Sequence, residues 1–317
     1  MSKRTITPRT RRLLTLLLVV LVTVFVVLAL HNSWHDVKRS LRSYTTVDLL
    51  GGFAAAVAST WALFFAWRAI LHGLHADTLS AHDSRVMFFC SQLGKYVPGS
   101  VWTAVIQGEI GARSKVSRAV VMSSYALALI VGVGIGGITT AGAISGDSPW
   151  WVRIASIGGI VGGIALCTFF AHPGGSQSWG RRWIERRRPD IELGVIDGRA
   201  AARTIAWTTA EWLLLGVHAW FLARPFGVGA SDFWFVLGGY ALAWTVGLIA
   251  IPLPAGAGLR EAVIVATLGH RIGNAEAISL ALVSRLLIVI NDVVLSLVMG
   301  LPRVLREAKA RRPLSQS

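Results

Sequence analysis

Seven apolar stretches of bilayer-spanning length, strung between short polar segments, constrain this chain more than any other feature. A hydrocarbon core of ~30 Å takes about 20 residues of helix. The stretches Leu13–Leu30, Leu49–Leu71, Ala119–Ile144, Trp151–Ala171, Thr204–Ala223, Phe233–Ile251 and Asn274–Gly300 each approach or exceed that length. Of the 317 residues, 54% are hydrophobic and only 15% charged, against ~25% charged in a soluble domain. With the spans removed, no segment is long enough for a folded soluble enzyme domain. Cys90 and Cys167 both lie in apolar runs without a CxxC or Cys/His cluster, which excludes a disulfide scaffold and a structural zinc site. Leu13–Leu30 follows basic residues as a signal peptide would, but no small-residue cleavage site precedes His31-Asn32-Ser33, so we expect a retained span. The fold class is an all-α polytopic membrane protein.

Charge placement supplies a topology. Lys and Arg number 31 against 16 acidic residues, a net charge of +15. Twenty of the 31 fall in four groups: residues 3–12, 113–118, the central loop within 172–203, and the tail 301–317. Such clustering follows the positive-inside rule and suits anionic lipid, so nucleic-acid binding is not expected. Two more apolar segments are interrupted, Val86–Ile106 by Gly-Lys-Tyr-Val-Pro-Gly and Pro252–Gly269 by Pro-Leu-Pro-Ala-Gly-Ala-Gly. If the first dips in and returns while the second crosses, every basic group lies inside. The expectation is then about eight transmembrane helices, with both termini in the cytoplasm. A basic tail at 1–12 precedes one transmembrane domain at 13–300, whose halves, 13–171 and 204–300, are joined by the loop 172–203. The loop at 31–48, with Lys38, Arg39 and Arg42, falls on the predicted outside. Gly132 with Gly136, Gly158 with Gly162, and Gly159 with Gly163 have the small-xxx-small spacing of closely packed helices. The run from Gly132 to Gly137 is read as packing rather than as a nucleotide-binding loop, for want of a preceding strand.

The interruptions carry the functional signal. Backbone polar groups in hydrocarbon must be hydrogen-bonded, so irregular chain at membrane depth survives only inside protein or beside a wet cavity. Pro98 lacks an N–H and biases Val97 away from the helical region, while Gly94 and Gly99 are conformationally permissive. Pro252, Pro254, Gly256 and Gly258 break the other half. Each break follows a pair of candidate spans, a correspondence that fits an inverted repeat and points to a transporter substrate site. Lys95 lies inside the first break; Arg260 and Glu261 open the half-helix after the second. Intramembrane charges cost at least ~2.5–3.5 kcal/mol and so face a cavity or a partner. A half-helix start, with free N–H groups, suits phosphate. Arg285 and Asp292, seven residues apart, share one face of the final span. These two, and Glu211 in mid-span, are equally explained as paired structural charges. Tyr96 and Trp102 could flank a lipid tail, though anchoring at the headgroup level is the plainer reading, as it is for Trp34, Trp150, Trp151 and Trp234.

The string Ser91-Gln-Leu-Gly-Lys-Tyr-Val-Pro-Gly-Ser-Val-Trp102, followed by Gln107-Gly-Glu109, resembles the first signature of the lysylphosphatidylglycerol synthase transmembrane-region family. Pro252-Leu-Pro-Ala-Gly-Ala-Gly-Leu-Arg-Glu-Ala262, with Ser284-Arg285 and Asn291-Asp292, resembles its second signature and terminal helix. The resemblance covers about Leu13 to Gly300. It implies a lipid-translocating domain: in two-part members this domain flips aminoacylated phosphatidylglycerol made by a separate soluble domain. Stand-alone relatives are often linked to polyprenyl- or glycolipid-based envelope pathways. The present residues hold no soluble aminoacyltransferase domain, so synthesis of lysyl-phosphatidylglycerol is not expected of them.

The expected function is therefore lipid translocation across the cytoplasmic membrane. The substrate would be an anionic, aminoacylated or polyprenyl-phosphate-linked lipid whose headgroup passes through a polar cavity. Lys95 and Arg260 would contact phosphate. Glu261, Glu109 and Asp292 would balance them or meet a cationic or hydroxylated headgroup, with Gln92, Tyr96, Trp102 and Arg285 completing the site. No Walker motif, metal or cofactor is expected. Two alternatives are an integral membrane transferase and a partner subunit of envelope-synthesis enzymes. The transferase would draw on Asp36, Asp77, Asp83, His72, His75 and His82, residues that in a polar loop are usually just solvated.

Overall fold

The structure, a computed structural model, describes residues 38–74, 79–96, 102–114, 116–144, 148–171, 186, 196–249 and 258–310, with side chains as far as Gly300. The expected first span at 13–30 and the breaking residues Val97, Pro98, Gly99, Pro252, Pro254 and Gly256 lie outside these residues. Among the described residues there are helices and no strands. In chain order they are α1 (Thr46–Leu74), α2 (Ala81–Ser91), α3 (Trp102–Arg113), α4 (Arg118–Thr139), α5 (Trp150–Ala171), α6 (Gly198–Ala223), α7 (Phe233–Ile249), α8 (Leu259–Ile272) and α9 (Asn274–Ala310). Four described helical stretches are long and apolar enough to cross a membrane: Thr46–Leu74, Arg118–Ala143, Trp150–Ala171 and Asn274–Gly300.

Polar caps move several helix ends away from the hydropathy boundaries. A reciprocal cap starts α1 before Leu49: Asp48 N–H donates to Thr45 Oγ1 at 3.3 Å, and Thr45 N–H donates to Asp48 Oδ2 at 3.1 Å. Asp197 accepts from the Ala200 N–H at 2.6 Å, so α6 begins six residues before the expected Thr204 and absorbs the end of the basic loop. At the other end of the chain, α9 runs past Gly300 to Ala310, so the basic tail starts as helix.

Helices α1 and α6 pack side by side and antiparallel. Gly52 near the start of α1 meets His218 and Leu222 near the end of α6, and Gly73 at the far end of α1 meets Ile196 and Ala200. Small residues let their backbones approach. The same rule joins α4 to α5, where a Cβ at Gly163 would collide with the Gly134 carbonyl and one at Gly159 would press on Gly137. Gly158 and Gly162, exposed and turned away from this contact, have open space around them. Helix α7 is buried on nearly every side by α4, α6 and α8, as expected of a helix apolar all round. Helix α8 folds back between α7 and α9, while α2 and α3 lean on α9 and α4. The remnants of both interrupted segments thus converge on the terminal helix.

Candidate functional site

A 3₁₀ turn, Gln92–Tyr96, carries the first interrupted segment from α2 towards α3. Gly94 is required there by packing: a Cβ on it would run into the backbone at Trp102 and Thr103, where α3 begins. The turn aims Lys95 and Tyr96 at the terminal helix. Lys95 Nζ lies 2.7 Å from Asp292 Oδ2, and the Tyr96 hydroxyl donates to the same oxygen. Asp292 is 1% exposed, and its other oxygen, Oδ1, has no hydrogen-bond partner among the described residues.

The second interrupted segment enters α8 through Gly258, whose positive φ of 83° strains any side-chain-bearing residue. Its N–H donates to Glu261 Oε2 at 2.7 Å, which caps the helix with its own third residue. The other oxygen of Glu261 accepts from Arg285 Nη1, also at 2.7 Å. Arg285 and Asp292 therefore share a face of α9, as their spacing requires, yet do not pair with each other. One grips the second broken segment and the other grips the first.

Arg260 is 5% exposed and has no carboxylate partner among the described residues. Its Nη2 donates to the Tyr240 hydroxyl at 2.7 Å and to Ser284 Oγ at 3.0 Å. Its guanidinium stacks 4.1 Å from the Trp244 ring centre. Behind these hydroxyls stands His218, with Nδ1 2.8 Å from the Gly52 carbonyl and Nε2 2.9 Å from Ser284 Oγ. A carbonyl only accepts, so a singly protonated ring carries its proton on Nδ1 and takes the Ser284 proton at Nε2. Ser284 Oγ can then accept from both Arg260 and Tyr240. Among the described residues Arg260 is the one charge in this network, held by neutral hydroxyl and ring groups.

Between α1, α4, α6 and the 3₁₀ turn lies a cavity of about 180 Å³, room for several waters. Lys95 and Gln92 open onto it, together with Ser59, Thr60, Thr103, Glu211 and Trp244. Among its lining residues, Glu211 Oε2 and Trp244 Nε1 are buried and find no hydrogen-bond partner among the described residues. Buried polar atoms in native structures are nearly always bonded to protein or water, so such residues in a cavity wall suit a hydrated or polar occupant. Arg260 stands behind Trp244 rather than on the wall.

The expected site residues divide accordingly. Gln92, Lys95, Tyr96, Arg260, Glu261, Arg285 and Asp292 come together around α9. Glu109 stands apart on α3, paired at 2.9 Å with Arg118, the two side chains 56% and 62% exposed. Trp102 is exposed at the start of α3, a position that suits an anchor. Among the described residues Glu211 has no cation at hydrogen-bond distance; it lines the cavity that Lys95 also lines. Sequence reasoning missed His218, Tyr240 and Trp244. Tyr240 and Trp244 are polar-tipped side chains in the middle of α7, away from the interfacial positions such residues favour, and His218 is a fully buried histidine in the last two turns of α6. In the stretch 72–83, Arg68 Nε donates to His72 Nε2 at 3.1 Å, and Asp83 pairs with Ser80 at the start of α2; His75 and Asp77 lie outside the described residues. Among the described residues, no group of three or more His, Cys, Asp or Glu side chains is arranged to hold a metal.

No curated protein matches the chain. The model of one family, described as the lysylphosphatidylglycerol synthase TM region, matches residues 13–296, nearly the whole chain and both interrupted segments. Helices of membrane-spanning length, the two broken segments meeting at the terminal helix and this match make the protein an integral membrane protein with a lipid-related role: it belongs to the lysylphosphatidylglycerol synthase TM region family.

Proposed function

We propose that this protein translocates lipid across the cytoplasmic membrane, with the headgroup moving through the crevice beside α9 and the tails remaining in the bilayer. The supporting observation is the cavity wall, where a lysine from the first broken segment stands with Glu211 and Trp244, whose Oε2 and Nε1 have no hydrogen-bond partner among the described residues. The substrate is an anionic or phosphate-linked lipid. Lys95 meets the headgroup first, and displacement of the Trp244 ring exposes Arg260, which pairs with no carboxylate among the described residues. The pairs Lys95–Asp292 and Arg285–Glu261 are ones a phosphate can open by competing for the cation. On this reading the chain is a transporter and not an enzyme. It lies in the plasma membrane with both termini cytoplasmic, and serves enzymes of envelope synthesis.

The test is reconstitution of the full chain into liposomes containing a fluorescent phosphatidylglycerol, with quencher added outside. Wild-type protein should render the inner-leaflet label accessible, and Arg260→Ala should reduce the rate to that of protein-free vesicles while eluting as a folded species. Translocation unchanged by Arg260→Ala would sink the assignment.

A further inference from the structure

A second polar recess lies at one end of the α1–α6 pair, away from the crevice beside α9. Its volume is about 530 Å³, and Arg68, His72, Arg199 and Arg203 line it with Asp197. Arg199 and Arg203 project from the first turns of α6 and are exposed, with no ion pair among the described residues. Asp197, the one carboxylate among the described lining residues, is engaged at 2.6 Å by the Ala200 N–H that it caps. Three arginines thus face one carboxylate that already has a donor. Arg68 reaches the recess from α1, where its Nε contacts His72. One wall is apolar: the Phe65 and Trp207 rings pack at a tilt of 35° with centres 4.9 Å apart, and Trp207 is exposed.

This combination is not explained by topology alone. The positive-inside rule places arginines near a membrane face but does not gather them from two helices around one recess beside an aromatic wall. Guanidinium groups recognise phosphate through paired N–H donors, and an exposed tryptophan next to them suits the glycerol and upper acyl region at the headgroup level. The end of α1 and the start of α6 both lie on the face that charge assigns to the cytoplasm, where anionic lipid is concentrated. The recess also shares its two walls with the crevice. Arg203, Trp207 and Glu211 follow one another at four-residue steps on one face of α6, the first two lining the recess and the third the cavity.

We infer that the recess between the end of α1 and the start of α6 is a docking site for the phosphate headgroup of an anionic phospholipid in the cytoplasmic leaflet. Binding there does not depend on whether the lipid is then translocated.

The test is native mass spectrometry of the full chain in detergent, titrated with phosphatidylglycerol and, separately, phosphatidylcholine. The double variant Arg199→Gln/Arg203→Gln should weaken phosphatidylglycerol retention by about 30-fold, taking each basic residue near an anionic surface at its usual contribution. Phosphatidylcholine retention should be unchanged. A control that removes two charges elsewhere on the same predicted face, Arg85→Gln/Arg118→Gln, should retain wild-type binding. Equal loss in the control, or no loss in the double variant, would overturn a built site in favour of diffuse surface attraction. Displacement of the lipid by millimolar inorganic phosphate alone would overturn the lipid assignment in favour of a small-anion site. Arg260→Gln should leave binding at the recess intact, so failed translocation with preserved binding separates the two proposals.

Discussion

Removing the charge of Asp292 should destabilise the protein, and neutralising Lys95 as well should add little to that loss. The ion pair is 2.7 Å long, with side chains 26% exposed for Lys95 and 1% for Asp292. At an effective dielectric constant of about 20, unit charges at that separation attract by about 6 kcal/mol. Desolvation offsets part of this, and breaking a buried pair by deleting one partner usually costs ~3–5 kcal/mol. Lys95 opens onto the cavity and can be partly hydrated, which puts Asp292→Asn near the lower end, about 3 kcal/mol. Lys95→Met leaves a buried carboxylate with only the Tyr96 hydroxyl, a loss of similar size, about 3 kcal/mol. The double variant leaves no unpaired charge at this position and should also cost about 3 kcal/mol, well short of the sum. Unfolding in mixed micelles, followed by the fluorescence of the 13 tryptophans, measures all four corners of the cycle. Costs that add to within about 0.5 kcal/mol would refute the claim that the terminal helix holds the first broken segment through this pair.

Two further contrasts test the packing and the charge assignments. Gly163→Ala should cost about 1–3 kcal/mol because its Cβ meets the Gly134 carbonyl, whereas Gly158→Ala, in open space, should be neutral or slightly stabilising in the same unfolding assay. Glu261→Gln should impair stability and translocation together, since it weakens both the cap at Gly258 and the pair with Arg285. Glu109→Gln, in an exposed pair with Arg118, should change stability by less than about 1 kcal/mol.

Much of this architecture is written in the chain, because bilayer helices must satisfy their own backbone and so show as apolar runs. The run Trp151–Ala171 becomes a helix at Trp150–Ala171, and Phe233–Ile251 becomes Phe233–Ile249. Hydropathy misjudges α6 because Arg199 and Arg203 look like loop, although Asp197 caps a helix that carries them on its polar face. The charged residues of the site are legible one by one, since each stands out in an apolar setting. Their partners are not. Spacing places Arg285 and Asp292 on one face but is silent on the elements that face them, and these are α8 and the 3₁₀ turn. His218 and Tyr240 escape for the same reason: a hydrogen-bond network that joins α6, α7 and α9 through Ser284 leaves no local pattern in any one helix.

Solvent access to the crevice is the claim on which the transport reading depends, and thiol labelling measures it directly. In a background without Cys90 and Cys167, a cysteine at Thr103 should react with a membrane-impermeant maleimide, and an excess of anionic lipid should slow that reaction. A cysteine at Gly158, on the open face of α5, should remain unlabelled in the bilayer. If the cysteine at Thr103 proves as inert as the one at Gly158 in folded, membrane-embedded protein, the cavity is dry and a polar headgroup has no route through it.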